Sequence, residues 1–210
     1  MAKGAAEVKY KVLRMVRRRA GESLEEFAKR WRAEHPKQAV VTLATGEIAL
    51  GGSEAPFDGM SATYFPGERE ARAAAGHFSG DIVLVCDEHL MSQKPQPQTR
   101  LKIVRTVYRR RDLTHQQFKD YWLQNHSKLE DRVIAESPVQ KIVATFVLPE
   151  ADRNPDFDGM VELYFASAED IRAMFAGPIP AMMRKDEENF VQMDAPAIRA
   201  VCEELPAVIH

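Results

Sequence analysis

Two histidines stand at the ends of matching aromatic stripes. Phe27, Trp31 and His35 are spaced i, i+4, i+8, and so are Phe118, Trp122 and His126. At about 100° per residue each trio drifts only about 80° around a helix, so its members share one stripe. The aromatics of such a stripe face a sheet. The His is then shielded near a helix terminus, where a cavity mouth can form, and an imidazole there suits general acid–base work. The alternative is a His that bonds a carbonyl at the C-terminal end of its helix.

Tyr64 and Tyr164 fall on predicted strands, on the same face as Met60 and Ala62 and as Met160 and Glu162. A phenol aimed into a cavity can orient a carbonyl or pass a proton; otherwise it is packing. Glu162 has no acidic counterpart, since Ala62 stands in its place. Arg14 and Arg105 fall mid-strand on otherwise apolar faces, where a charge needs a partner or solvent. As functional groups they would hold a carboxylate or enolate through the guanidinium fork. As structural groups they would pair with Asp58 and Asp158, or with the acidic runs Asp87-Glu88 and Asp186-Glu187-Glu188. Asp58-Gly59 and Asp158-Gly159 read as turns.

The six histidines are scattered, and Glu130-Asp131 beside His126 matches no usual ligand spacing, so no metal is expected. The chain has no Gly-x-Gly-x-x-Gly, P-loop, His-Glu-x-x-His or Gly-x-Ser-x-Gly. Nucleotide cofactors and serine hydrolysis are therefore not expected.

The elements that must carry these residues come in two sets. The segment KVLRMVRRRAGESLEEFAKRWRAEHPK (11–37) matches KIVRTVYRRRDLTHQQFKDYWLQNHSK (102–128) at a constant offset of 91. PFDGMSATYF from Pro56 matches DFDGMVELYF from Asp156 at an offset of 100, and Asp87–Met91 lies opposite Glu187–Val191 at the same offset. The change implies nine extra residues in the second copy between His126 and Phe157, assigned to a loop around Asn154-Pro155. A period this long reads as two small domains, 1–91 and 99–210, joined by the polar linker 92–98.

Within each copy, hydrophobic alternation predicts first strands over Tyr10–Arg17 and Leu101–Tyr108. The capping boxes Ser23-x-x-Glu26 and Thr114-x-x-Gln117 open helices from Leu24 to about Glu34 and from His115 to about Asn125. Second strands follow over Val40–Leu50 and Val139–Leu148, and third strands over Gly59–Phe65 and Gly159–Ala166. Second helices span Glu68–Ala75 and Ser167–Phe175, and fourth strands follow Asp87 and Phe190. Each copy is then βαββαβ, a ferredoxin-like α+β unit. One such sheet leaves a bare apolar face, and two copies can bury those faces sheet to sheet in an intrachain barrel.

With 210 residues and 45% hydrophobic composition, the chain has enough apolar mass for a core, which excludes intrinsic disorder. A net charge of −2 lacks the basic surplus of a nucleic-acid binder. Cys86 and Cys202 make no disulfide framework, which suits a reducing compartment. Residues 1–8 hold no secretory signal and no apolar run reaches membrane length, so a cytoplasmic protein is expected.

The string Phe-x3-Trp-x3-His, then Phe-Asp-Gly-Met, then acidic residues before an apolar strand resembles the EthD family of the dimeric α+β barrel group. The match is clearest in LTHQQFKDYWLQNHSKL, FDGMVELYF and DEENFV of the second copy; in the first, Leu90-Met91 replaces the aromatic strand start. The resemblance implies small enzymes without organic cofactors. They act on aromatic or polyketide-like carbonyl compounds as oxygenases, cyclases, decarboxylases or isomerases.

The expectation is a cofactor-free enzyme doing acid–base chemistry on a hydrophobic carbonyl or phenolic compound: decarboxylation, isomerisation or cyclisation. One alternative is a cofactor-free monooxygenase, and another is a non-catalytic ligand-binding or stress protein. No nucleic acid or membrane partner is expected; a homodimer through edge strands and helices is. The second copy is expected to work, with His126 as general acid/base, Tyr164 as carbonyl-orienting donor, and Trp122 and Met160 as pocket wall. Phe118, Arg105 and Glu162 complete the expected binding set, and the longer loop before Phe157 would cover it. His35 and Tyr64 would form a relic or a weaker site.

Overall fold

The computed structural model describes residues 8–35, 39–45, 57–150 and 155–205. The first half runs β1 (Lys9–Val16), α1 (Leu24–Ala33), β2 (Val40–Ala44), β3 (Gly59–Phe65), α2 (Glu68–Ala75) and β4 (Ile82–Gln93). The second runs β5 (Leu101–Val107), α3 (His115–Tyr121), a π-helical segment (Trp122–His126), α4 (Ser127–Glu136), β6 (Lys141–Val147), β7 (Gly159–Phe165), α5 (Ala168–Ala176), α6 (Ile179–Glu187) and β8 (Arg199–Glu204).

All eight strands close one antiparallel barrel in the order β1-β3-β2-β8-β5-β7-β6-β4. The halves meet where β2 pairs β8 and β4 pairs β6. Every described strand has two neighbours, so the edge strands expected to pair two chains are absent. Closure satisfies each edge within the one chain.

Strand alternation decides what faces where. Lys11, Leu13 and Met15 of β1 pair with Tyr64, Ala62 and Met60 of β3, and all point into the barrel. Lys102, Val104 and Thr106 of β5 pair with Tyr164, Glu162 and Met160 of β7. The barrel interior is therefore apolar at one end, around Phe57, Phe157, Met15, Met60 and Met160, and ionic at the other. The expectation of a wholly apolar shared face is therefore corrected: one end of the interior is ionic. The outer face of the sheet meets the helices in two clusters: Phe27, Trp31 and Val41 in the first half, and a larger one around Phe118, Trp122, Phe146, Phe165 and Phe190 in the second.

The helix starts form as the capping residues dictate. Ser23 Oγ accepts from the Glu26 N–H while Glu26 Oε2 accepts from the Ser23 N–H, and Thr114 and Gln117 repeat the exchange. Gly59 and Gly159 have a packing role rather than only a turn role. A Cβ at Gly59 would sit 2.7 Å from Phe27 Cζ and 2.8 Å from Trp31 Nε1; at Gly159 it would sit 3.1 Å from Phe118 Cζ. Bare backbone lets the helix aromatics lie on the third strand. The preceding carboxylates pin the loop after the first strand: Asp58 accepts from the Arg18 N–H at 2.9 Å and Asp158 from the Arg109 N–H at 3.0 Å.

Four expectations are corrected. The extra residues of the second half form α4, which follows His126 directly, rather than a loop; residues 151–154, with Asn154, lie outside the described residues. The second strand of the first half ends at Ala44, and residues 46–50 are likewise outside them. The fourth strands are Ile82–Gln93 and Arg199–Glu204. Asp87–Met91 is thus mid-strand, while Glu187–Val191 ends a helix and enters a single bridge between Val191 and Arg109. The apolar Phe190-Val191 pair mimics a strand start, but Phe190 is bound into the aromatic cluster under α3. Finally, Ser92 and Gln93, read as linker, extend β4 against β6 past a bulge.

Candidate functional site

The second half holds a cavity of about 470 Å³ between the outer face of its sheet and the helices. Its deep wall is Trp122, His126, Glu130, Val133 and Ile142, all buried. Val161, Leu163 and Met174 add apolar surface, and Phe175, Arg184 and Arg199 form an exposed mouth.

The wall is built by a local departure from the α-helix. After α3 the backbone widens into the π-helical segment, in which the Ser127 N–H reaches the Trp122 carbonyl, a five-residue step. Such wide turns recur at functional sites because they re-aim one side chain without ending the helix. α4 then continues the helix, so His126 lies inside a helical run. His35, by contrast, lies just past the end of α1. α4 also brings Glu130 under the indole, where Trp122 Nε1 donates to its Oε1 at 3.1 Å. In the first half, Trp31 Nε1 is buried without a partner among the described residues.

His126 is buried and held at one ring nitrogen. Its Nδ1 lies 2.7 Å from Asp186 Oδ2, and Tyr121 donates to Asp186 Oδ1 at 3.0 Å. With Nδ1 donating to the carboxylate, the neutral ring carries its lone pair at Nε2. Nε2 has no hydrogen-bond partner among the described residues, and the ring lines the cavity. The next residue along α6, Glu187, accepts from Arg105 Nη1 at 2.6 Å. Two adjacent carboxylates at the C-terminal end of α6, where the helix dipole disfavours anions, thus fix the imidazole and the guanidinium of one cavity.

His126, Trp122 and Arg105 are brought together here. The other expected residues are placed elsewhere. Tyr164 and Glu162 lie on the opposite face of β7, inside the barrel, because their positions alternate with the cavity-lining Val161 and Leu163. Met160 is in the barrel core and does not line this cavity. Phe118 packs beneath it against Trp122 and Phe146. The even parity shared by Met160, Glu162 and Tyr164 was legible; that His126 belongs to the odd face was not.

Tyr64, Tyr164 and Glu162 belong instead to an ionic cluster around a second cavity of about 210 Å³ at one end of the barrel. Tyr64 donates to Glu88 at 2.9 Å and Tyr164 to Glu204 at 2.8 Å. Lys11 reaches Glu88 at 2.6 Å, Lys102 reaches Glu204 at 2.9 Å, and Glu162 lies between the two lysines at 3.6 and 2.6 Å. Burial works against the Glu162 charge, yet Lys102 and then Lys11 bring its pKa down to about 2. Burial likewise opposes the Lys102 charge, but Glu162 and Glu204 outweigh it and the pKa rises. Burial, followed by neighbouring carboxylates, raises both tyrosines, so they remain donors.

His35 takes the alternative reading. Its Nδ1 lies 2.5 Å from the Trp31 carbonyl, and its Nε2 meets Ser61 Oγ at 2.8 Å and Arg14 Nη1 at 3.2 Å. Both ring nitrogens are engaged. Burial, and then Arg14 and Glu34 in opposite senses around the Trp31 hydrogen bond, leave its pKa lowered. Arg14 itself donates to the Ser79 carbonyl and stacks on Trp31, rather than pairing with an acid.

Arg184 and Arg199 were missed, and Asp186 and Glu187 were read only as an acidic run that could pair with a strand arginine, which Glu187 does with Arg105. Pro178-Ile179-Pro180 was a usable helix-start signal, and Ile179, Met182 and Met183 have helical spacing. Matching Glu187–Val191 to Asp87–Met91 hid α6.

Residues 110–194 match the EthD domain, a segment that runs from α3 through α6 and carries Trp122, His126, Asp186 and Glu187. A search of curated proteins finds no match. Among solved structures, an anthrone oxidase-like protein is similar at TM-score 0.60, with 8% identity over 95% of this chain and 91% of its own. A mutant chlorite dismutase from Candidatus Nitrospira defluvii is similar at TM-score 0.50, with 12% identity over 97% and 93%. At these identities the likeness is one of fold.

Proposed function

We propose that this chain is a small-molecule enzyme whose active site is the cavity of its second half. The observation that carries the reading is the His126–Asp186 pair, which sets a ring nitrogen without a partner among the described residues against a largely apolar cavity. In this reading His126 is the general acid/base: Nε2 takes a proton from a bound carbonyl or phenolic compound, and Asp186 holds the tautomer and stabilises the imidazolium that forms. Arg105 faces the negative charge that develops on the substrate oxygen, and Trp122 is the wall against which an aromatic body lies. The reaction is acid–base chemistry on an aromatic or polyketide-like carbonyl compound, namely decarboxylation, isomerisation or cyclisation.

A second reading is cofactor-free monooxygenation, suggested by the name of the anthrone oxidase-like neighbour. The same deprotonation would give an enolate or phenolate that itself reduces dioxygen. Oxygen dependence of turnover separates the two.

We also infer that the halves are two ferredoxin-like units, the first running through β4 to Gln93 and the second from residue 99 to 210. In each, the first strand lies between the fourth and the third, and the third beside the second.

The test uses a panel of hydrophobic phenols and aromatic keto acids. With a substrate found, His126→Ala is expected to lose about 10²–10⁴ in rate, while His35→Ala stays within about tenfold. A larger loss in His35→Ala would put the chemistry in the wrong half. If neither variant changes the rate, the histidines are structural and the acid–base mechanism fails; if no compound in the panel turns over, the enzyme reading gives way to a non-catalytic ligand-binding protein.

A further inference from the structure

The mouth of the second-half cavity carries more positive charge than the protein neutralises. Arg105, Arg184 and Arg199 line it, from β5, α6 and β8. Arg105 stands directly opposite Arg199 in the pairing of β5 with β8. Like charges at directly opposed strand positions repel and destabilise the pair. Arg105 takes Glu187 as its partner, while the guanidiniums of Arg184 and Arg199 have no ion pair or hydrogen bond among the described residues. Arg105 Nε is also buried without a partner among the described residues. Burial, then Arg105 and Arg184, lower the pKa of Arg199, which reports the same crowding of charge.

The remaining acids of the cavity do not relieve it. Asp186 is bound to His126, and Glu130 lies at the deep end beneath Trp122. An anion at the deep end would face Glu130. An anion at the mouth would face three arginines, with the apolar walls beyond.

We propose that the cavity takes a hydrophobic carboxylate, with its anionic head among Arg105, Arg184 and Arg199 and its apolar body against Trp122, Val133 and Ile142. This deepens the proposed function by naming the substrate class and the direction of entry, and it rests on the same cavity. The carboxylate supplies the counter-charge that β5 and β8 lack, through charge-assisted hydrogen bonds to planar guanidiniums.

Calorimetric titration of the full chain with 2-naphthoate and with 2-naphthamide tests this, since the two probes share a body and differ in head charge. The carboxylate is expected to bind about tenfold or more tighter than the amide, with the advantage shrinking as salt rises. Combining Arg184→Gln with Arg199→Gln should bring the carboxylate down to the affinity of the amide. Equal affinity of the two probes, a preference that survives the double substitution, or no binding of either below about 1 mM would overturn the proposal. A carboxylate preference in a protein that turns over no compound would sink the enzyme reading and leave this one standing.

Discussion

His126 differs from His35 in what its second nitrogen meets. His35 spends both nitrogens on the Trp31 carbonyl and on Ser61 and Arg14, so it fastens α1 to β3. His126 gives Nδ1 to Asp186, which is steadied in turn by Tyr121. The role of Asp186 can be read without a substrate. In Asp186→Asn the amide can donate to Nδ1, which would move the ring proton to Nε2 and remove the base. Nitrogen-15 spectra of labelled histidine should show the neutral ring protonated at Nδ1 in the native protein and shifted towards Nε2 in the variant. Turnover should fall by about 10²-fold or more. An unchanged tautomer with unchanged turnover would show that the carboxylate does not position the ring.

At the scale of elements, the repeated aromatic-histidine helix and the Phe-Asp-Gly-Met strand are one packing device. The helix aromatics press on a strand position that has no Cβ, and the neighbouring Asp fixes the loop between first strand and helix. Gly59→Ala should be the more damaging of the two substitutions, because Phe27 and Trp31 are closer to its Cβ than Phe118 is to that of Gly159. We expect a loss of about 1–3 kcal/mol at Gly59 and a smaller one at Gly159, read from urea midpoints at constant slope. The reverse order would mean that the first-half helix yields more easily than its packing implies.

These elements were legible because caps, alternation and glycine are local signals. Ser23, Thr114 and Ser167 opened their helices as read, and the third strands were placed to within a residue. The site was half legible. His126, Trp122 and Arg105 sit on elements with clear periodicity. Asp186 and Glu187 reach the cavity only because α6 folds back over β5, a long-range event that leaves no local mark. The π-helical segment is invisible for the same reason, since it keeps the spacing of the first-half stripe and changes only the hydrogen-bond step. Tyr164 was misplaced because a strand pattern separates two faces but does not say which one a helix covers.

The barrel as a whole is fastened across its halves by strand pairs at both seams, by the Asp87–Lys119 ion pair outside the barrel and by a carboxylate inside it. Glu162, where the first half has Ala62, reaches Lys102 on its own side and Lys11 on the other. A buried pair of this kind is poor evidence for net stability against an apolar replacement, but breaking it strands a charge, at a cost of about 3–5 kcal/mol. Glu162→Gln leaves Lys11 with Glu88 and Lys102 with Glu204, so we expect a loss below that range at neutral pH. The pH dependence identifies the cause. Because folding lowers the pKa of Glu162 from 4.5 to about 2, its ionised form stabilises the fold at pH above about 4.5, and that contribution fades as pH falls towards 2. Lys102 runs the other way: its pKa is raised, so its contribution is complete below 10.5 and is lost only as pH climbs past that value. The stability gap between native protein and Glu162→Gln should therefore be widest near neutral pH and close as the urea midpoint is followed from about pH 5 to about pH 2.5. A gap that holds constant through that window would mean that the ionised carboxylate does not tie the two lysines across the halves.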